Sequence, residues 1–264
     1  MQKFFMVLAL ILFALPSYGA GKESPEWISH LKAAENASQL AIVSGTHGSN
    51  AIFSFHEKDG GTWREVLSCH AYIGKKGWGK IREGDMKTPC GVFTFTEAFG
   101  ILPDPGCMMG YTQADETHYW VSDSESERYN TMVSTEDYDS FSRKDSEHII
   151  DYDLAYKYAL NISYNIEGTP GKGSAIFLHC YTKNHYTDGC VAIPEDDMRT
   201  VLRNVKPGCV VVMDSHKNIQ GYWHEVIDRF VHTVRKNRCC NIRRRICDAP
   251  DIAARNCRDQ EMGN

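Results

Sequence analysis

The chain has 264 residues, 42% of them hydrophobic and 24% charged, enough for one sizeable core or two small domains. A formal charge of −5 gives no electrostatic case for a nucleic-acid partner. The ordinary composition, with no internal repeat or low-complexity tract, excludes a solenoid or a disordered polymer.

The N-terminus carries the first signal. Lys3 is followed by an apolar run over residues 4–15, then Pro16 and the small-residue stretch Ser17-Tyr18-Gly19-Ala20. This layout predicts a signal peptide over 1–20, and the apolar run is short for a membrane span. An uncleaved anchor or a buried N-terminal helix is the alternative. No later stretch is apolar for long enough to cross a bilayer, so the mature chain is expected to be soluble, exported and without a transmembrane span. Its ten cysteines can then meet an oxidising compartment. Four of them, Cys239, Cys240, Cys247 and Cys257, suggest a stapled tail, although spacing cannot give the pairing.

Residues 25–40 predict a short helix, with Trp27, Ile28 and Leu31 at helical spacing. Strands are predicted at 39–44, 51–55 and 63–67, with turns at 45–48 and 59–61. Residues 74–80, rich in Gly and Lys, read as a solvated loop, and 91–95 as a further strand. The polar, acidic stretch 115–153 reads as an insertion or long surface excursion. Alternation returns at 155–165 with Tyr158, Leu160, Ile162 and Tyr164, and 175–179 reads as a buried strand. A helix is predicted at 196–205, with Met198, Val201 and Leu202 on one face, then a core strand at 210–213. A last helix is expected at 222–234, followed by a basic Cys-rich tail. The sum is a mainly β (α+β) protein with few helices.

The segment that carries chemistry is Phe177-Leu178-His179-Cys180 through Thr187-Asp188-Gly189-Cys190-Val191-Ala192-Ile193-Pro194. A buried strand ends in His179, and a polar loop returns the chain to Cys190. A thiol is mostly protonated at neutral pH, while the thiolate is the nucleophile. An adjacent imidazole can take the proton, stabilise the ion pair and later protonate a leaving amine. Gly189 allows unusual backbone geometry, which fits an N–H donor at Cys190 aimed at an oxyanion. Three other readings fit the same residues: Cys190 as half of a disulfide, His179 as a hydrogen-bonded core histidine, and zinc held by His179, Cys180, His185 and Cys190.

These residues resemble the L,D-transpeptidase (YkuD-type) catalytic domain, in particular exported members with a Thr-x-Gly-Cys nucleophile loop. The likeness runs from Gly171-Lys172-Gly173-Ser174 to His179, and from Thr187 to Pro194. Upstream it includes Glu83-Gly84-Asp85, Lys87-Thr88-Pro89, Gly91-Val92-Phe93, Trp120-Val121 with Asp123, Tyr129-Asn130, Ser146-Glu147 and Tyr164-Asn165. It decides for the Cys-His pair over disulfide and zinc. It implies a YkuD-type β-sandwich catalytic domain over about 38–215, with 216–264 as a C-terminal helix and tail. It also implies Cys190 as nucleophile, His179 as base oriented by a backbone carbonyl, no cofactor and no metal.

The implied substrate is a peptidoglycan tetrapeptide stem, in the periplasm or cell wall. Attack on the carbonyl of its third residue would release D-alanine, form a thioester and end in a 3–3 cross-link. Hydrolysis of the same bond, an L,D-carboxypeptidase activity, is the alternative, and a catalytically silent disulfide-stapled wall-binding module is the alternative of another class. Two departures bear on substrate binding. Asp188 stands where the common pattern has a second histidine, and Ala192 where it has an arginine. Thr187 and Gly189 are candidate supports for the nucleophile loop. Tyr129, Asn130, Lys172 and His185 are candidate substrate-binding residues.

Overall fold

A computed structural model describes residues 21–219. The expected signal segment, the helix at 222–234 and the Cys-rich tail lie outside the described residues. The strands are β1 (Lys22–Glu23), β2 (Gln39–His47), β3 (Asn50–Asp59), β4 (Thr62–Tyr72), β5 (Gly91–Gly100), β6 (Tyr111–Gln113), β7 (His118–Trp120), β8 (Met132–Ser134), β9 (Glu147–His148), β10 (Ala159–Ile162), β11 (Phe177–Cys180), β12 (Val191–Ile193) and β13 (Val210–Ser215). The α-helix α1 (Glu195–Asn204) buries Met198, Val201 and Leu202 and carries Glu195, Asp196 and Asp197 in its first turn, where negative charge suits the helix dipole. Among the described residues no helix is long and apolar enough to cross a membrane.

The main sheet runs β1-β4-β12-β11-β10-β5-β13-β2-β3, with β6 on the edge of β5, and the β3–β4 pairing closes it on itself. Two pairings in this path are parallel, β11–β12 and β13–β2. The enclosed face holds the larger core, including Val43, Phe53, Phe55, Leu160, Leu178, Val191, Ile193 and Val211. This is the mainly β sandwich that the sequence implied.

The structure corrects four local expectations. Residues 25–40 form two single 3-10 turns, Glu26–Ile28 and Lys32–Ala34, not a helix. Their apolar residues pack with Trp63, Leu40 and Ile42, so the spacing reports burial against a sheet. The stretch around 115–153 is no mere surface excursion. Strands β8-β7-β9 make a second small sheet, and Trp120 is fully buried with Phe99, Ile149, Tyr156 and Phe177 in a second core. Within the supposedly solvated loop 74–80, the Lys80 side chain is 3% exposed.

The fourth correction concerns Gly45, which belongs to β2 and not to a turn. A Cβ placed there would lie 2.0 Å from the Trp78 indole nitrogen, so glycine is what lets that ring lie on the strand. Gly45→Ala is therefore expected to destabilise the fold by about 1–3 kcal/mol through overpacking, read as a lower denaturant midpoint with an unchanged slope.

Candidate active site

Strands β11 and β12 pair in parallel with Leu178 opposite Val191 and His179 opposite Ala192. Alternate residues of a strand point to opposite faces. Leu178 and Val191 enter the larger core, while Phe177 and Cys190 join the second core. His179 and Cys190 therefore share the sheet face that the second core covers. Both line one cavity of about 600 Å³, together with Lys80, Glu83, Glu147, Tyr156 and Asp188.

The connection between them is tied down at many points. Lys75 N–H donates to the Thr187 carbonyl (2.9 Å), and Thr187 N–H to the Ile73 carbonyl (3.0 Å). The Thr187 hydroxyl donates to the Cys190 carbonyl (2.7 Å) and accepts from Gly189 N–H (3.2 Å). Buried Thr88 donates to the Gly189 carbonyl (2.8 Å) and accepts from Gly74 N–H (2.8 Å). Gly189 has φ +151°, and a Cβ there would stand 2.9 Å from the Lys87 carbonyl oxygen. Both the backbone angle and the close approach exclude a side chain.

Each partner of the pair has defined hydrogen bonds. His179 Nδ1 lies 2.8 Å from the Cys180 carbonyl oxygen. A carbonyl only accepts, so Nδ1 carries the proton and Nε2 keeps its lone pair. Cys190 Sγ donates to the Ala175 carbonyl (3.1 Å) and accepts from Phe177 N–H (3.3 Å). Ala175 sits at φ +53°, a conformation that a non-glycine residue needs help to hold.

Asn130 supplies that help. Its Oδ1 accepts from Ala175 N–H (3.0 Å) and from the Trp120 indole (3.1 Å), and its Nδ2 donates to the carbonyls of Tyr164 and Asn165. Tyr129 donates to Glu83, which also accepts from the Ser174 hydroxyl (2.6 Å). Neither Tyr129 nor Asn130 lines the cavity; they fix the strand entry beneath it. Lys172 is exposed, with its ammonium 5.9 Å from the Tyr164 ring centroid. His185 stacks on Tyr72 at 5.2 Å and is exposed. Neither of these two lines the cavity.

Among the described residues no group of three His, Cys, Asp or Glu side chains is placed to hold a metal ion. Six cysteines there, Cys190 included, are unpaired.

Burial shapes the electrostatics. It lowers the His179 imidazole to about 4. It pushes the Cys190 thiol up to about 12, a rise to which Glu147 and Asp188 add and which Phe177 N–H and Lys80 oppose. The resting pair is thus neutral thiol and neutral imidazole, not the ion pair that isolated residues suggest.

Several site residues escaped the sequence reading. Lys80 Nζ lies 3.3 Å from Asp85. Burial alone would raise the Asp85 carboxyl, but N–H donors of Ile81, Lys87 and Arg82, with Lys80, outweigh it and hold it low. Glu147 and Tyr156 bond across the cavity wall at 2.5 Å. Glu83, Asp85 and Glu147 were visible in the sequence only as parts of family-like blocks. Lys80 and Tyr156 gave no signal.

Residues 47–213 match the family model of the L,D-transpeptidase catalytic domain, YkuD. The chain belongs to this family. No curated protein sequence matches it. Among solved structures it is similar to Bd1075 of Bdellovibrio bacteriovorus, at 16% identity and TM-score 0.39, covering 76% of this chain and 58% of that one. It is similar to the helical cell shape determining protein Pgp2 of Campylobacter jejuni, at 16% identity and TM-score 0.37, covering 72% and 54%. L,D-transpeptidase 1 of Mycobacterium tuberculosis follows at 12% identity and TM-score 0.32, covering 67% and 61%. The chain thus spans under two thirds of these proteins' lengths, and at such identity and overlap the likeness carries no functional argument.

The buried histidines give this YkuD domain an acid liability. His56, 1% exposed between Ser24 and Ser54, is also lowered by burial to about 4. Both imidazoles sit below their ordinary value, so acid protonates the unfolded chain first. The share of stability that these two histidines carry is then fully present above about pH 6.5 and lost as pH falls towards 4, by up to about 1.4 kcal/mol per pH unit for each, while Glu147, whose carboxyl burial raises to about 7, contributes the opposite slope over much of that range. Denaturant titrations between about pH 6.5 and pH 4 should show a folded His56→Gln variant losing less stability with acid than wild type, the difference growing by up to about 1.4 kcal/mol per pH unit.

Proposed function

We propose that this chain is a cysteine-dependent L,D-transpeptidase acting on peptidoglycan tetrapeptide stems outside the cytoplasm. The observation that carries the reading is the Cys190 thiol and the His179 Nε2 lone pair on one sheet face, opening into one cavity, in a member of the YkuD family. The signal-peptide layout of residues 1–20 supports export.

The proposed reaction starts from the neutral pair. The stem's third-residue carbonyl enters beside Cys190, and Sγ attacks as its proton passes to His179 Nε2. The tetrahedral oxyanion collapses, and Nε2–H protonates the departing amine of D-alanine. A thioester remains on Cys190. An amine from a second stem attacks it, gives its proton to Nε2, and leaves a 3–3 cross-link with the thiol restored. Proton transfer during attack replaces a standing thiolate, because burial disfavours either charge alone. The Nδ1 bond to the Cys180 carbonyl holds the tautomer throughout and stabilises the transient imidazolium.

The test compares wild type with Cys190→Ala on purified tetrapeptide-bearing muropeptides, followed by mass spectrometry. Wild type should release D-alanine, form dimers joined between third residues and show a transient acyl adduct on Cys190. The variant should fold, lack the adduct and lose turnover by about 10³-fold or more. Equal activity of the two proteins removes Cys190 from the reaction. Shortened stems without dimers would reassign the reaction to hydrolysis.

A further inference from the structure

Part of the cavity wall uses groups that the proposed acyl transfer leaves idle. β9 brings Glu147 to the cavity through its pairing with β7, where Trp120 lies opposite Glu147. Tyr156 follows on the segment leading to β10, and its hydroxyl donates to Glu147 Oε2 at 2.5 Å. The Tyr156 ring stands edge-on to the His179 imidazole, with centroids 5.7 Å apart and planes at 82°. Phe177, Phe99 and Tyr152 pack around the same ring at 5.5, 6.0 and 4.9 Å, which leaves it one orientation. Glu147, Tyr156, His179 and Cys190 all line the one cavity.

We propose that Glu147 and Tyr156 are positioning residues of the Cys190–His179 pair: Tyr156 sets the plane of the imidazole, and Glu147 anchors Tyr156 while setting, by its own charge, the pH range in which Cys190 reacts. The role given to the pair rests on reading Cys190 and His179 as nucleophile and base.

The chemistry follows from what faces Glu147. Burial raises its carboxyl to about 7, the Tyr156 hydrogen bond opposes the rise, and Glu83 and Asp188 add to it. Tyr152, Tyr186, Asp145 and the ammonium groups of Lys80 and Lys144 are the other charged and titratable groups that line the same cavity. Below about pH 7 Glu147 is neutral, and Cys190 gives up its proton without facing that charge. Above it the carboxylate is ionised and opposes the developing thiolate, as like charges in a shared site do. Two consequences separate this from a purely structural role. Removing the charge should matter only on the alkaline side. Removing the phenol should shift the Glu147 titration upward, because its hydrogen-bond donor to the carboxylate is gone.

Iodoacetamide alkylation of Cys190, followed on its own peptide from pH 5.5 to 9 with Cys190→Ala as the blank, reads this without any peptidoglycan. Wild type should show an inflection near pH 7 that Glu147→Gln lacks. The two should react alike at pH 6, and Glu147→Gln about tenfold faster at pH 8.5. Glu147→Asp, which keeps the charge, should retain an inflection. Tyr156→Phe should move the inflection to higher pH and lower kcat on muropeptides with little change in KM. A folded Glu147→Gln protein with the wild-type profile, or a Tyr156→Phe profile that does not move, overturns the proposal. If the profiles change as expected but wild type turns over no muropeptide, the coupling stands and the transpeptidase reading falls. Turnover with unchanged profiles is the reverse.

Discussion

Everything at the site depends on two short strands lying in parallel. Parallel neighbours normally need a crossover of a dozen or more residues, most often through a helix. Here a loop joins Cys180 to Val191 directly, so the return must be imposed by other contacts. Thr187 and Thr88 bind the loop's last turn, Ile73 and Lys75 hold its backbone, and Tyr181 N–H reaches the Ile193 carbonyl. Tyr72, stacked on His185 and tilted against Tyr181, covers its outer side. These clamps fix the register, and the register decides which side chains share a face. A slip by one residue would turn Cys190 into the larger core and leave His179 without its partner.

That placement has an electrostatic consequence. A thiol on the surface could rest as a thiolate, but one walled in by Trp120, Phe177 and Tyr156 cannot do so cheaply. The sulfur instead donates to the Ala175 carbonyl, and the imidazole keeps an open lone pair. Burial thus favours the neutral thiol and neutral imidazole over a standing ion pair. The strained φ at Ala175, sustained by Asn130, points the accepting carbonyl at the sulfur. Asn130 itself takes φ +63°, which asparagine tolerates better than most residues. Tyr129 and Asn130 thus shape the site through the backbone they hold.

The sequence was informative where local pattern and final environment agree. The period of Met198, Val201 and Leu202 predicts α1, and the apolar run before His179 predicts β11, because each buries one uninterrupted face. Pattern misled where burial arose from a neighbour far along the chain. Trp27, Ile28 and Leu31 look helical, yet their spacing serves contact with Trp63 and Ile42. Lys80 sits among glycines and lysines that look solvated, and nothing nearby in the chain announces that three backbone N–H groups and its own ammonium converge on Asp85. Glu147 meets Tyr156 only after β9 has paired with β7, an event that no window of sequence contains.

The stretch around 115–153 therefore has a different status from the one its composition suggests. Most of its polar residues face outward or bond one another, as Asp115 does with Thr117 and His118, with Asn130 and Glu147 the inward exceptions. Its few large apolar side chains turn inward and seal the outer face of β11. Without that seal, Phe177 and Cys190 would lie on an open sheet surface in contact with water. With it, the same face gains a low-dielectric wall, and each charge placed there counts for more. Composition reads the stretch as a loop because most of its residues are solvated. Its contribution to the site comes from the minority that are not, since Trp120 fixes the floor beside Phe177 and Glu147 enters the wall directly opposite it in the β7–β9 register.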